Sequence, residues 1–160
     1  MADLNGQWID RFHDRNGLKY IVLDMDSSVS PTHGDQEGSA WNGHFDCTCY
    51  HPNFLFNQFG MLERCALRHG NVHSADGWRG VLDPVIARYA GRDLGGRFFR
   101  ADAAYAIPAI YARLEEAVAR RTAPLKGLAV TAPLNPYATH HPGTAHTGNP
   151  DDICSVPDGQ

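Results

Sequence analysis

Three aspartates stand near the ends of two short strand-forming segments, and carboxylates in such positions can bind a divalent metal. Asp24 and Asp26 are two residues apart in LDMDSS, so their side chains lie on one side of an extended chain. Asp102 follows the β-prone segment RFFR and precedes a segment with helical spacing, a place where α/β sheets commonly carry functional groups. If the two strands are neighbours, the carboxylates converge. A cation would relieve the resulting repulsion, and oxygen ligands suit Mg²⁺ or Mn²⁺.

The chemistry that such a site can perform is in-line phosphoryl transfer. Two divalent ions about 3.5–4 Å apart activate a water and stabilise the leaving oxygen of a phosphodiester. The alternative is that each aspartate only ends a strand or caps a helix, as Asp commonly does. For Asp24 a further alternative is that backbone donors satisfy it while Asp26 coordinates the ion. The spacing therefore predicts a site without establishing it.

The elements that must position the aspartates are those of an α/β domain with a mixed sheet. Residues 18–25, LKYIVLDM, form an apolar run rich in branched side chains, which predicts a central strand buried on both faces. Residues 54–58 and 61–67 are β-prone runs separated by a Phe-Gly pair, and they predict an antiparallel hairpin.

Two helices are predicted around the strand at residues 97–100, which leads to Asp102. The first has apolar residues at helical spacing: Trp78, Val81, Leu82, Val85, Ile86 and Tyr89. The second begins near Pro108, and its apolar face consists of Ile107, Ile110, Tyr111, Leu114 and Val118. Residues 27–53 are rich in Gly, Pro, Ser, Asp and His and predict a long loop with at most one short strand near residues 45–50.

The composition is that of one globular domain. The 160 residues are 42% apolar and 20% charged, and no apolar stretch approaches the roughly 20 residues that span a bilayer. The polar amino terminus lacks the order of a secretory signal, so a cytoplasmic location and no membrane partner are expected. The net charge of −4 argues against a surface that grips nucleic acid throughout, so DNA contact is expected to be local or metal-mediated. The four cysteines form no CxxC pair, and no disulfide is expected.

A second candidate metal site is weighed against a simpler explanation. Cys47, Cys49 and His51 alternate, so they share one face of an extended segment and could bind part of a Zn²⁺ coordination shell. A fourth ligand would come from one of three other residues: His33, His44 or Cys65. Structural zinc sites usually have wider cysteine spacings, so burial of the thiols as small apolar groups is the favoured interpretation.

Histidines and basic residues near the acids have two interpretations. His33, His44 and His51 lie in the loop beside the predicted acidic site, where contact with a phosphate competes with an ordinary loop role. Basic residues flanking the strands offset the local negative charge, hold the DNA backbone or are only solvated: Lys19, Arg97 and Arg100. Three further histidines lie in a Pro/Gly-rich stretch and are interpreted as solvated: His140, His141 and His146.

Four ordered motifs carry a resemblance to a known family. VLDMDSSVSPTHGDQEG, NGHFDCTCYHPNFLFN, ALRHGNVHSADGW and FFRADAAYAIPAIYARLEE resemble, in this order, the group 1 DDE-domain transposases of bacterial insertion sequences. The resemblance runs from about Trp8 to Glu116. Four motifs in the family's order are far more specific than a single aspartate.

The resemblance implies an RNase H-like fold and DNA transposition. In the family, an Asp-Asp-Glu triad holds two Mg²⁺ ions for strand cleavage and transfer. By motif, the first acid corresponds to Asp26, which directly precedes Ser27, and the second to Asp102. Asp24 is a further metal ligand on this view, with Mg²⁺ or Mn²⁺ as the cofactor. The implied partners are the transposon ends and the target DNA, with a homodimer as one arrangement of the full-length protein.

The sequence departs from the family at the third acid, which is expected on a later helix. No segment resembles that region, and four acidic residues are weighed as unconvincing substitutes: Glu115, Glu116, Asp151 and Asp152. A preceding DNA-binding segment is also not recognised. We therefore expect residues 1–121 to form an incomplete RNase H-like catalytic domain and residues 122–160, rich in Pro and Gly, to be irregular or disordered.

Three functional interpretations remain at this point. The first is a partial transposase core that is inactive alone. The second is a non-catalytic remnant that binds DNA or metal weakly. The third is an RNase H-like nuclease, which would need a further acid from within the chain.

Overall fold

Residues 2–119, which the computed structural model describes, form three helices and seven strands. In chain order these are α1 (Ala2–Asn16), β1 (Tyr20–Ser27), β2 (Ser30–Pro31), β3 (Ala40–Asn42), β4 (Cys47–Tyr50), β5 (Asn53–Asn57), β6 (Leu62–Ala66), α2 (Trp78–Ala90), β7 (Gly96–Ala101) and α3 (Pro108–Ala119). A 3₁₀ turn at Ala103–Tyr105 links β7 to α3. The predicted irregular segment, residues 122–160, lies outside the described residues.

The main sheet has four strands in the order β6-β5-β1-β7. Strand β1 is antiparallel to β5 and parallel to β7, so the sheet is mixed, as predicted. The predicted hairpin is confirmed as β5 and β6, which are antiparallel. Strand β1 pairs with β7 from Tyr20↔Gly96 to Met25↔Ala101. The two strands that carry the aspartates are therefore neighbours, as the predicted convergence of the carboxylates requires.

The prediction that the central strand is buried on both faces is wrong. Ile21, Leu23 and Met25 are buried, whereas the alternate side chains of β1 are exposed or only half-buried. The buried face packs against both predicted helices, because the core cluster includes Val81, Leu82 and Val85 of α2 together with Ile110 and Leu114 of α3. The acids share the other, more open face of β1, where ionised side chains remain hydrated.

Helix α1 was not predicted from the sequence. Its buried residues are Gly6, Ile9 and His13, which follow helical spacing but include only one large apolar side chain. Its position is fixed by polar contacts instead, because Arg92 pairs with Asp10 and Asp14 at 2.8 and 2.9 Å. A helix attached in this way lacks the apolar stripe that sequence patterns detect.

Residues 27–53 are more ordered than predicted. The expected short strand near residues 45–50 is β4, but β2 and β3 pair with it on either side to make a separate three-stranded sheet. Strands of two and three residues are too short to show an alternating pattern. This sheet contacts the loop after β6, through a bridge between Tyr50 and His69 and a hydrogen bond from Asn42 to the Gly70 carbonyl oxygen. Within residues 2–119, no helix is long and apolar enough to cross a membrane.

Candidate active site at the ends of the central strands

The two principal acids follow the last register pair of two parallel strands. Met25 pairs with Ala101, so Asp26 and Asp102 occupy the next, facing positions at the carboxyl ends of β1 and β7. Neighbouring strands are about 4.8 Å apart, which brings side chains at matched positions close together. The sheet therefore brings Asp26 and Asp102 together, although 75 residues of sequence lie between them.

The preceding register pair on the same face has opposite charges. Asp24 pairs with Arg100 in the strand register, and the Arg100 guanidinium forms a salt bridge with the Asp24 carboxylate. Both side chains are partly exposed. Thus the open face of β1 and β7 carries the neutralised pair Asp24 and Arg100, followed at the strand ends by the like charges of Asp26 and Asp102.

The backbone orients each acid through one carboxylate oxygen. Oδ1 of Asp26 accepts a hydrogen bond from the Ser27 amide at 2.8 Å, and Oδ1 of Asp102 accepts one from the Ala104 amide at 3.0 Å, which caps the 3₁₀ turn. Oδ2 of Asp26 and Oδ2 of Asp102 make no hydrogen bond with residues 2–119. Each aspartate is thus held in place and keeps one oxygen available to a ligand.

The electrostatics of the pair are those of crowded carboxylates. Burial raises the pKa of Asp26, the Ser27 amide opposes that shift, and the negative charges of Asp102 and Asp24 raise it further. A cation bound between Asp26 and Asp102 would offset both the desolvation and the repulsion.

A buried tyrosine supports this end of the sheet. The Tyr105 hydroxyl donates a 2.9 Å hydrogen bond to Asn53 Oδ1, and Asn53 pairs with Ser27 in the β1/β5 register. Burial raises the pKa of Tyr105 to about 12. The negative charges of Asp102 and Asp26 also raise this pKa. Tyr105 therefore links the turn after Asp102 to the strand beside Asp26.

Arg68 holds the loop that leads into α2 against the same region. Its guanidinium donates to the carbonyl oxygens of His51, His73, Ser74 and Asp76 at 2.6 to 3.2 Å. Burial lowers the pKa of Arg68, while the neighbouring Tyr105 and Asp76 raise it. These supporting residues, Arg68, Asn53 and Tyr105, were not predicted from the sequence, because nothing in their spacing distinguishes them from ordinary loop or strand residues.

A cleft of about 510 Å³ opens beside the acids, and Ser27 and Asp102 form part of its wall. The opposite wall comes from the turn between β3 and β4 and from residues 71–74. His44 and His51, two of the histidines predicted to lie near the acids, also line it. The third, His33, is exposed and is not part of this lining.

Cys49 and His51, from the motif at residues 47–51, are part of the protein's packing. Cys49 is fully buried, and burial raises the pKa of its thiol. The Nδ1 atom of His51 lies 3.0 Å from the carbonyl oxygen of Val72, so this nitrogen carries the proton that binds the carbonyl. Both observations agree with the favoured interpretation of these residues as part of the packing. The histidines at 140, 141 and 146 lie outside the described residues.

The flanking basic residues differ in their contacts. Arg97 donates to the carbonyl oxygens of Tyr89 and Arg92 at the end of α2, so its guanidinium stabilises the fold. Arg100 is engaged by Asp24. Lys19 is exposed and lines a different surface depression, formed with His13 and Phe59.

The carboxylate oxygens of Asp26 and Asp102 suit a hard cation whose remaining ligands are water and phosphate oxygens. Among residues 2–119, no cluster of three or more His, Cys, Asp or Glu side chains could hold a metal ion. Mg²⁺ is commonly bound through one or two carboxylates, with water and phosphate oxygens completing its coordination. Asp26 and Asp102, each with one available oxygen, fit that requirement.

The candidates for a third acid lie on α3 or beyond it. Glu115 and Glu116 are exposed on α3, and Glu116 lies 3.7 Å from Arg113. Asp151 and Asp152 lie outside the described residues.

Comparison with known proteins gives one match. The family model described as Transposase DDE domain, group 1, matches residues 1–152. This match is longer than the resemblance carried by the four motifs, because it starts before Trp8 and continues past Glu116 to include Asp151 and Asp152. Neither the curated proteins nor the solved structures gave a match.

Proposed function

Because the chain belongs to the group 1 DDE transposases, a family that acts on DNA, we propose that Asp26 and Asp102 bind a divalent metal for phosphodiester cleavage and strand transfer at transposon ends. The single observation that carries this proposal is the register of β1 and β7, which ends on Met25 facing Ala101 and so leaves Asp26 and Asp102 as the next residue of each strand. The raised pKa of Asp26 supports it, because crowded carboxylates are typical of metal and catalytic sites.

The two aspartates have the same role in this proposal. Each uses Oδ1 to accept a backbone amide and offers Oδ2 to the ion, so the backbone fixes the direction of the ligand oxygen. Bound there, Mg²⁺ or Mn²⁺ supplies the positive charge that phosphodiester cleavage requires. The fixed carboxylates reduce the reorganisation needed when the DNA backbone arrives.

Asp24 has a different role from the other two acids. Its carboxylate is in a salt bridge with Arg100, so direct coordination would require that ion pair to break. We assign Asp24 to the electrostatic surroundings of Asp26, where its charge raises the pKa of that acid. Direct metal coordination by Asp24 stays a prediction, and it is tested by the same titration as the pair.

The cleft gives the DNA strand access to the acids. It is open to solvent and wide enough, at about 510 Å³, for several groups of a nucleotide chain. The net charge of −4 implies that long-range attraction to DNA is weak. Binding would therefore depend on the metal and on contacts within the cleft.

Turnover by this chain alone is proposed to be very low. In the described part of the chain, only Asp24 and Asp102 act as acidic neighbours that raise the pKa of Asp26, and Asp24 is paired with Arg100. A third acid presented to the metal is the group that would convert binding into efficient cleavage. A chain that binds metal and DNA without cleaving is the second candidate function, and the homodimer of a full-length protein stays a prediction.

The test is calorimetric titration of the whole chain with Mg²⁺ and Mn²⁺, with plasmid nicking measured on the same samples. Asp26→Asn and Asp102→Asn retain an oxygen that can accept the backbone amide, while they remove the charge and replace the second oxygen with an amide nitrogen. We expect each to weaken metal binding by about tenfold or more, because charged oxygen ligands dominate binding of hard cations. Asp35→Asn, in an exposed loop, is the matched control.

Three outcomes separate the interpretations. Loss of binding in both variants, with wild-type nicking, supports an enzyme. Loss of binding in both variants without wild-type nicking supports the non-catalytic alternative. Wild-type binding that neither substitution changes would refute the proposed site.

A further inference from the structure

We infer that the cleft beside the acids binds an unpaired nucleobase, which stacks on Trp41 and Phe45. The inference deepens the proposed function, on which it rests, by naming the part of the DNA that the cleft takes. Trp41 and Phe45 are the two aromatic side chains of residues 2–119 that line this cleft, apart from its histidines. Both residues line the same cavity as Ser27 and Asp102, so a base held there belongs to a nucleotide close to the proposed metal site.

Both rings are exposed to a degree that packing does not explain. Trp41, on β3, is 58% exposed, and Phe45, in the turn between β3 and β4, is 39% exposed. Exposed large aromatics that line a cleft are typical of binding surfaces, because leaving them in water is unfavourable. Every nucleobase has a π-face, so stacking on aromatic rings accepts any base and suits a strand of undefined sequence.

The turn that bears Phe45 is held rigidly. The Asn42 side chain donates to the Gly70 carbonyl oxygen and accepts a 2.9 Å hydrogen bond from the His44 amide. Asp46 closes the turn in the left-handed region, at φ 54°. The Phe45 ring is in edge contact with His44 and His51, at centroid distances of 4.8 and 5.6 Å. A ring fixed in this way loses little conformational entropy on binding a base.

The rest of the cleft favours a base over a purely apolar ligand. Polar and apolar groups line it in similar measure, and His44, His73 and Asn71 are among the polar ones. Imidazole and amide groups can donate to and accept from the hydrogen-bonding edge of a base. Asp102 lines the same cleft, so a strand that places a base there would carry its neighbouring phosphate towards the proposed metal site, which a peptide would not do.

The experiment uses the whole chain and a single strand of about eight thymidines, a length within the usual range of such sites. A Trp8→Phe variant leaves Trp41 as the exposed tryptophan, because Trp78, the third in the chain, is buried. We expect the thymidine strand to quench Trp41 fluorescence in Mg²⁺ and an abasic strand of equal length to quench it far less. Equal quenching by both strands, or none by either, would overturn the inference.

Anisotropy of a labelled strand gives the second readout. Trp41→Ala should weaken binding roughly fivefold to a hundredfold, while Trp41→Phe, which keeps a ring, should recover most of it. Trp8→Ala is the matched control, because Trp8 is 67% exposed on α1 and lies outside the cleft. A similar loss of affinity in Trp8→Ala and Trp41→Ala would contradict a stacking site in the cleft.

The outcome is distinguishable from failure of the proposed function. Base-dependent quenching in a protein that neither binds metal through Asp26 and Asp102 nor nicks DNA would keep the nucleobase site and refute the catalytic proposal. Metal binding through both acids, without base-dependent quenching, would keep the metal site and refute the stacking platform.

Discussion

The Tyr105 hydroxyl and the Asn53 side-chain oxygen are 2.9 Å apart in a buried hydrogen bond that joins the turn after β7 to strand β5. Asn53 is completely buried, and its Nδ2 has no hydrogen-bond partner among the described residues. The bond from Tyr105 is therefore the one hydrogen bond that the buried Asn53 side chain makes among the described residues.

Tyr105→Phe should destabilise the fold by about 1–3 kcal/mol, because it leaves the buried Asn53 amide unsatisfied. We also expect weaker metal binding, since the turn that orients Asp102 loses its link to β5. Urea unfolding and metal titration measure the two effects. Tyr111→Phe, which removes a hydroxyl from an exposed ring on α3, is the control, and equal effects of the two substitutions would refute this role of Tyr105.

Asp26→Asn should make the metal-free protein more stable at neutral pH. The pKa of Asp26 in the folded chain is raised above its ordinary value of 3.8, so its ionised form opposes folding at pH values above the folded pKa. The gain should be below about 1 kcal/mol, because solvent screens a partly exposed carboxylate.

The pH dependence of this gain is the decisive measurement. As the pH falls through the folded pKa towards 3.8, Asp26 becomes protonated in the wild type and the difference in thermal stability should vanish. Mg²⁺ that saturates the wild type should stabilise it more than Asp26→Asn, because the variant binds the ion more weakly, and this difference should reverse their order. A variant less stable than the wild type at pH 7 without metal would contradict the raised pKa.

Gly70→Ala should disrupt the packing of the small sheet against the loop after β6. A Cβ at Gly70 would lie 2.2 Å from the Cys49 carbonyl oxygen and 2.5 Å from that of Ala40, and backbone atoms cannot move aside cheaply. We expect a loss of about 1–3 kcal/mol in the free energy of unfolding, as for other overpacked sites. Differential scanning calorimetry would detect it.

Gly80→Ala is the matched control for that loss. No atom lies within 4 Å of a Cβ at Gly80, which is exposed on helix α2, so the same change should stabilise the protein by about 0.5–1 kcal/mol. A neutral Gly70→Ala would show that the small sheet does not approach the loop as closely as described.

Glu63→Gln should be strongly destabilising, although it alters one atom. Glu63 is buried on β6, and its Oε1 accepts hydrogen bonds from Tyr89 at 2.6 Å and Asn57 at 2.8 Å, while its Oε2 pairs with Arg88. Gln has one acceptor oxygen for these three donors, so we expect a loss of roughly 2–4 kcal/mol. Urea unfolding measures this loss, and Glu115→Gln, at an exposed position on α3, is the control. Similar unfolding midpoints for the two variants would rule out the Glu63 network as a stabilising element.

The sequence was sufficient for elements whose patterns are strong and local. The hairpin, helix α2 and helix α3 each bury a stripe or alternate set of apolar side chains, and all three form as predicted. It was insufficient for α1 and the small sheet, which depend on salt bridges from Arg92 and on the close approach of Gly70 to the backbone of β3 and β4. Such contacts join distant residues and leave no periodic signal.

For the candidate site, the sequence by itself determined which acids end strands, because Asp26 and Asp102 each follow a β-prone run and match the family's motifs. Only the tertiary structure decided that the two strands are parallel neighbours and that Asp24 is engaged by Arg100. It also set the cleft that combines Asp102 with Trp41 and Phe45. The physical reason is that strand order and register arise from burying the shared core, a property of the whole chain that local spacing does not encode.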